Sequence, residues 1–196
     1  MILRDLLTQR LARHSPSRLD MDYPEAGVLV PVTDNAGTPE ILFTLRSSNL
    51  STHRGQVAFP GGKRDSTDPS IAYTALREAH EEIGLPPEQV ELIAPLSQVV
   101  SRYGIVVTPY VGIMPADHPL HPNLDEIESI FRVPVEFFLE DRRERTDKLP
   151  FLENTYHVPC YRWEKYQIWG LSAVVLVEFL NAVYDARIDL LKPHYD

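Results

Sequence analysis

Between Asp68 and Pro87 the chain reads DPSIAYTALREAHEEIGLPP, a segment that carries a helix start, a helix stop and an apolar period between them. Asp68 suits an N-cap and Pro69 the first helical position. Gly84 suits the left-handed position after a helix, and Pro86-Pro87 blocks continuation. Ala72, Leu76, Ala79 and Ile83 recur at helical spacing, so one face of this helix requires cover. Runs with strand character stand on both sides of it. A covered helix among strands calls for a layered fold.

The last two turns of that helix break two local rules. Glu78 and Glu82 are four residues apart and repel by roughly 0.2–0.5 kcal/mol. The end of the helix carries the negative pole of the macrodipole, which favours cations, yet Glu81 adds a third acid there. At about 100° per residue, Glu78 and Glu82 lie about 40° apart, and Glu81 lies about 60° to the other side of Glu78. All three flank one edge of the apolar stripe. Two readings stand. The acids form a solvated face neutralised by counter-ions, or they supply oxygen ligands to a hard cation, Mg²⁺ first, with Mn²⁺ and Ca²⁺ as alternatives. A bound cation would remove both violations. No His/Cys spacing suggests zinc, and His80 points to another side of the helix.

The remaining chain supplies the layers. AGVLVPVTD (Ala26–Asp34) and PEILFTLRS (Pro39–Ser47) flank the turn NAGT and read as a hairpin. GQVAFPGG reads as a short strand running into Gly61-Gly62, whose lack of a side chain permits close backbone approach to a ligand or marks a turn. VELIAPLSQVVS and GIVVTPYVGIM are further strands, and residues 116–124 form a Pro/His/Asp-rich loop. DEIESIFRVPVEFFLED is expected to hold one or two short helical turns interrupted at Pro134. ENTYHVPCYRWEKYQIWG reads as two short strands, and LSAVVLVEFLNAVYDARIDL as a second long helix packed on a sheet. Strands and helices alternate without a repeating βαβ order. The fold class is therefore α/β (α+β) with a mixed sheet.

The 196 residues suit one domain with extensions, and a formal charge of -9 lacks the basic footprint of a nucleic-acid binder. No apolar run is long enough to span a membrane. The first twenty residues read as an amphipathic helix, with Ile2, Leu3, Leu6, Leu7 and Leu11 on one side, ended near Ser15-Pro16. Asp5 and the lack of a Ser-rich stretch speak against a targeting segment. The single cysteine, Cys160, forms no internal disulfide and reads as a half-buried thiol of a reducing compartment.

Gly62, Asp68 and the run REAHEEIGL from Arg77 together resemble the Nudix box, G-x5-E-x7-R-E-U-x-E-E-x-G-U, with U a bulky aliphatic. Arg77, Glu78, Glu81, Glu82, Gly84 and Leu85 match. Asp68 stands where the box has Glu, one extra residue separates it from Arg77, and Ala79 replaces the bulky aliphatic. Ahead of the box, LFTLRSSNLSTHRGQVAFPGG resembles the signature of the coenzyme A pyrophosphatases of that superfamily. Thr44, Arg46, Ser47, Gly55, Phe59, Pro60, Gly61 and Gly62 fit it, while Ser51 takes the place of its middle Arg, with Arg54 nearby.

The resemblance implies a Nudix-type α/β/α sandwich with a mixed central β-sheet over residues 23–190, preceded by a helical extension (1–22) and followed by a short tail (191–196). It implies Mg²⁺-dependent (alternatively Mn²⁺-dependent) hydrolysis of a diphosphate linked to another moiety. Glu78 and Glu82 are then direct metal ligands, and Glu81 is a third ligand or acts through water. Arg77 ties the acidic helix by ion pairs. The proton acceptor is one of the box glutamates or Glu126, which reads equally as a solvated acid at a helix start. For coenzyme A the products are 3′,5′-ADP and 4′-phosphopantetheine. Arg46 and Arg54 are the cations nearest in sequence for the 3′-phosphate, or else ordinary strand-edge charges. Gly61 and Gly62 bring backbone to the phosphates. Tyr103 or Phe59 stacks on adenine, core packing being the other role open to Phe59. The expected partner is this small molecule, with no nucleic acid and no membrane, in the cytoplasm, and with a homodimer left open. The rival readings are a Nudix pyrophosphatase for ADP-ribose or NADH and a nucleotide-binding protein without turnover.

Overall fold

The computed structural model describes residues 2–35, 37–48, 55–151 and 153–193. Its centre is a sheet of eight strands. β1 (Glu25–Asn35) turns back into β2 (Thr38–Arg46), as the hairpin pattern requires, with Asn35 opposite Thr38. On its other side β1 runs parallel to β7 (Val106–Ile113), from Glu25 opposite Val106 to Val32 opposite Ile113. The other pairings in the sheet are antiparallel, among them β5 (Glu91–Pro95) and β6 (Val99–Val100) with β7. The sheet is mixed, as expected.

One irregularity in the sheet creates the site. β1 pairs with β2 from Val32 to Asn35, but from Ala26 to Val28 its neighbour is β4 (Gly61–Lys63). β3 (Val57–Ala58) still pairs with β2, at Leu45 and Thr44. The segment from β3 to β4 therefore crosses from one strand to the next, and the Leu29 N–H donates to Pro60 O across the crossing at 2.8 Å.

Strand alternation assigns the two faces. Leu29 of β1 and Leu42 of β2 meet Ala75, Ala79 and Ile83 of α2 (Ile71–Ile83) on one side. Val30, Val32, Ile41 and Phe43, one residue out of phase, face α1 (Leu3–Leu11) and α4 (Gly170–Tyr184) on the other. This makes the α/β/α sandwich. On α1 the buried residues are Leu3, Leu7 and Leu11, while Ile2 stays exposed. α4 ends at Tyr184, earlier than its apolar run, because Asp185 adopts a left-handed conformation with φ 55°.

Two expectations about helix positions are corrected. Residues 127–134 form a strand, β8 (Ile127–Pro134), antiparallel to β2, and only α3 (Val135–Leu139) is helical. Pro134 is the last strand residue and the N-cap of α3, so it divides two element types. The helix α2 starts at Ile71, and its N-cap is Ser70, whose hydroxyl accepts from the Tyr73 N–H at 3.1 Å. Asp68 lies ahead of the helix and has other partners.

A second sheet of three antiparallel strands, β9 (Arg143–Phe151), β10 (Asn154–Trp163) and β11 (Tyr166–Ile168), covers the end of the first. The Tyr166 ring stacks on Phe131 of β8 with centroids 3.7 Å apart. Cys160 on β10 is fully buried rather than half-buried, and burial pushes its thiol up, away from the reactive thiolate. Among the described residues no helix is long and apolar enough to cross a membrane.

Candidate active site

The three glutamates of α2 are graded by angle. Taking Ala75, on the sheet, as origin, Glu82 falls about 20° away, Glu78 about 60° and Glu81 about 120°, all on the same side. Their side chains are 2%, 16% and 55% exposed in that order. The buried residues of the helix are Thr74, Ala75, Ala79, Glu82 and Ile83, while Ala72 and Leu76 are only partly covered. The helix turns this way because it lies against Gly27 of β1, where a Cβ would sit 2.4 Å from Ile71 O and 3.0 Å from Ala75 N. Small residues are needed at the crossing, and they carry Glu82 inward.

The buried Glu82 carboxylate has two partners. Its Oε2 accepts the Gly61 N–H at 3.0 Å, and its Oε1 accepts from Arg46 Nη1 at 3.1 Å. Burial raises its carboxyl to about 7, with further upward pressure from Glu78 and Glu126, against the opposing Arg46 charge and the Gly61 N–H. Gly61 has φ +155°, and a Cβ there would come within 2.5 Å of Gly27 O, so only glycine directs this N–H at Glu82 while lying against β1.

Glu78 rests on Gly62. A Cβ at Gly62 would lie 2.5 Å from Glu78 Cδ and 2.6 Å from each carboxylate oxygen. Burial raises the Glu78 carboxyl too, opposed by the Arg77 charge and hydrogen bond. The two glycines of the crossing thus touch the two inward glutamates, one by an N–H and one by an absent side chain.

Arg77 fixes the outer side. Its Nε and Nη2 grip Asp68 Oδ1 and Oδ2, each at 2.9 Å. Nη1 reaches Glu78 Oε1 at 2.9 Å and Glu81 Oε2 at 3.0 Å, and Nη2 also reaches Lys63 O at 3.2 Å. All five N–H donors of this guanidinium are occupied, which suits a tie and leaves none for a ligand. Asp68 is 3% exposed and also accepts from Thr74 Oγ1 at 2.8 Å and Asp65 N at 3.0 Å. The Arg77 bonds hold its carboxyl far below the usual carboxylate range. Sequence reasoning missed this anchoring role, since the Asp-Pro pair before a helix mimics a cap.

Glu126 lies close to the same two glutamates. It directly precedes Ile127, which pairs with Arg46, and its carbonyl accepts the Ser47 N–H at 2.8 Å. Its charge acts on both Glu78 and Glu82. The loop ahead of it is docked on the C-terminus of α2 through His121 N to Ile83 O and Asn123 N to Glu82 O, both 2.9 Å. Arg46, Gly61, Gly62, Glu78, Glu82 and Glu126 therefore converge. Glu81 is turned outward to Arg77. Tyr103 lies in the turn before β7, 47% exposed, with the Arg102 guanidinium 4.7 Å from its ring centroid. That turn adjoins the Glu25 end of β1, while Gly61 pairs three residues further along, at Val28. Phe59 is buried against Phe43, a core role. Arg54 lies outside the described residues.

The donor set is all oxygen, and its charge is incompletely balanced within the protein. Among the described residues no three Asp, Glu, His or Cys side chains already meet as a metal cage. Mg²⁺ does not require one, because it keeps several waters and binds through one or two carboxylates plus substrate phosphates. Glu78 and Glu82 fit that demand.

Comparison with known proteins agrees with this arrangement. The family model of the NUDIX domain matches residues 23–154. A protein of Klebsiella pneumoniae subsp. pneumoniae called uncharacterized Nudix hydrolase NudL is 40% identical over 177 residues, covering 90% of this chain and 92% of its own. A protein of the same name from Cronobacter sakazakii is 40% identical over 169 residues, covering 86% and 88%. A solved MutT/nudix family protein from Enterococcus faecalis superposes with a TM-score of 0.57 at 19% identity, covering 94% of this chain and 70% of its own, which speaks for the fold. The chain belongs to the Nudix hydrolase family, whose members act on phosphoanhydride bonds and generally need divalent metal ions.

Proposed function

We propose that the chain is a Mg²⁺-dependent pyrophosphatase of coenzyme A or its derivatives, acting in the cytoplasm and releasing 3′,5′-ADP and 4′-phosphopantetheine or its acylated form. The observation that carries this reading is the contact of Arg46 with Glu82. Arg46 belongs to the segment resembling the coenzyme A signature and Glu82 to the Nudix box. The two motifs, distinct in sequence, meet at this contact, as expected if one recognises the nucleotide whose diphosphate the other cleaves.

A divalent ion, when bound, would supply charge neutralisation at the diphosphate oxygens and make water more acidic there. Glu78 and Glu82 are the residues to hold it, and Glu81, paired outward with Arg77, acts through water. The Gly61 N–H keeps Glu82 in one orientation. The Asp68–Arg77 grip keeps the Glu78 carboxylate on the open side of Gly62. Glu126, whose charge acts on both glutamates, is the candidate proton acceptor. Arg46 is the described cation best placed for a phosphate, since its planar fork matches one.

The test is a panel of coenzyme A, 3′-dephospho-coenzyme A, ADP-ribose and NADH with Mg²⁺, products separated by chromatography. Preference for coenzyme A that disappears without the 3′-phosphate supports the assignment, and equal turnover of ADP-ribose or NADH overturns it. Glu82→Gln is expected to lower kcat by about 10³-fold with an unchanged far-ultraviolet circular dichroism spectrum. Unaltered turnover removes Glu82 from the chemistry.

A further inference from the structure

Among the described residues two arginines touch the acidic cluster, and they differ in how well they are satisfied. Every N–H of Arg77 has an acceptor. Arg46 holds Glu82 Oε1 through Nη1, while its Nε is buried and, among the described residues, has no hydrogen-bond partner. A buried N–H left unmade is costly and marks a side chain whose present position is a compromise. Its backbone is pinned on both sides, by Arg46 N to Gln56 O at 3.0 Å and Gly55 N to Arg46 O at 3.1 Å. Any adjustment falls to the side chain, which is 20% exposed where Glu82 is 2% exposed. The carboxylate is fixed and the guanidinium has an exit. Glu82 Oε2 is taken by the Gly61 N–H, so an incoming cation meets Arg46 on Oε1.

We infer that Arg46 is a placeholder for the divalent ion at Glu82, compensating the buried carboxylate in the metal-free protein and yielding Oε1 when the ion arrives. The same displacement turns the guanidinium towards the phosphates, so metal uptake and anion recognition are coupled through one side chain. This rests on the reading of Glu82 as a metal ligand. Arg46 is here a positioning residue whose removal strengthens metal binding, which a merely structural salt bridge would not do.

Calorimetric Mg²⁺ titrations without nucleotide, at about pH 8.5 where carboxylates are ionised, test it. Arg46→Ala is expected to bind Mg²⁺ about ten-fold more tightly than the wild type, the factor of one charge-assisted hydrogen bond, with Arg46→Lys in between. Arg64→Ala, which removes an exposed cation paired with Glu25 at 3.1 Å, is expected to change affinity by less than about two-fold. In the wild type, the Arg46 Nε–H signal in arginine side-chain NMR should move with the same saturation curve, a readout that needs no variant to fold. Unchanged or weaker binding by Arg46→Ala, equal tightening by Arg64→Ala, or an unmoved Nε–H signal while Mg²⁺ binds overturns the placeholder role and leaves the metal site standing. Absence of Mg²⁺ uptake by the wild type without nucleotide overturns the placeholder role, and absence of uptake with coenzyme A added as well overturns the metal site.

Discussion

Replacing Gly62 by alanine separates the placing of one carboxylate from the stability of the fold. Gly62 is not among the residues with positive φ, so alanine meets no backbone penalty there. The new Cβ would sit 2.5 Å from Glu78 Cδ, against an ordinary contact of 3.4 Å or more, so the carboxylate must retreat by about 0.9 Å. It is the end of a flexible, partly exposed side chain and can move, at a cost of about 1 kcal/mol and a fall in Tm of about 2–4 °C. Misplacement of about 1 Å at a reacting centre costs on the order of 10²-fold in rate. We therefore expect kcat for diphosphate hydrolysis to fall about 100-fold in Gly62→Ala while thermal unfolding shifts by only a few degrees. The assay is product release at saturating Mg²⁺ and substrate, beside a calorimetric melt. A variant with unchanged kcat and the same small Tm shift would refute the claim that Glu78 must rest on Gly62 to function.

Gly27→Ala offers the opposite case, because its Cβ would meet backbone, Ile71 O at 2.4 Å. α2 must lift off the sheet, and a loss of about 3 kcal/mol in urea unfolding is expected. Asp68→Asn removes half of the Arg77 grip and is expected to cost about 2–3 kcal/mol at neutral pH, a pair with one partly exposed member costing less than a fully buried one. The folded Asp68 carboxyl titrates below its unfolded value, so its contribution is present above about pH 4 and is lost as pH falls further. The stability gap between wild type and Asp68→Asn should therefore close in acid, as chemical melts at stepped pH would reveal. Leu7→Ala is expected to cost about 2–5 kcal/mol, since Leu7 is fully buried, and a loss below about 1 kcal/mol would show that α1 is only loosely attached.

The box helix was legible because its signals are local. Gly84 takes the left-handed position expected of it, and the three glutamates fall on one edge. Ser70 escaped notice because Asp68-Pro69 offered the same signature two residues earlier, and only the Arg77 side chain, nine residues on, decides what Asp68 does. The strand β8 was read as helical turns because Ile127–Pro134 is only partly covered and its alternation is weak. Its pairing with β2, some eighty residues away, makes it a strand. The parallel alignment of β1 with β7, the Arg46–Glu82 contact and the fit of Glu78 on Gly62 arise from long-range packing and have no local signal. The acids were therefore readable as a group, whereas their ranking from buried to exposed required the helix to be set on Gly27.

The packing of α1 beside α4 has a consequence for synthesis. Leu3, Leu7 and Leu11 share their core with Leu176, Phe179 and Val183, and His14 meets Glu178 at 2.9 Å, so one segment is sealed by another that is translated much later. At about 5–20 residues per second, the nascent chain carries that leucine stripe unshielded for about ten to thirty seconds before its partner helix has been translated. During that interval it is a ready target for a chaperone that grips apolar helices.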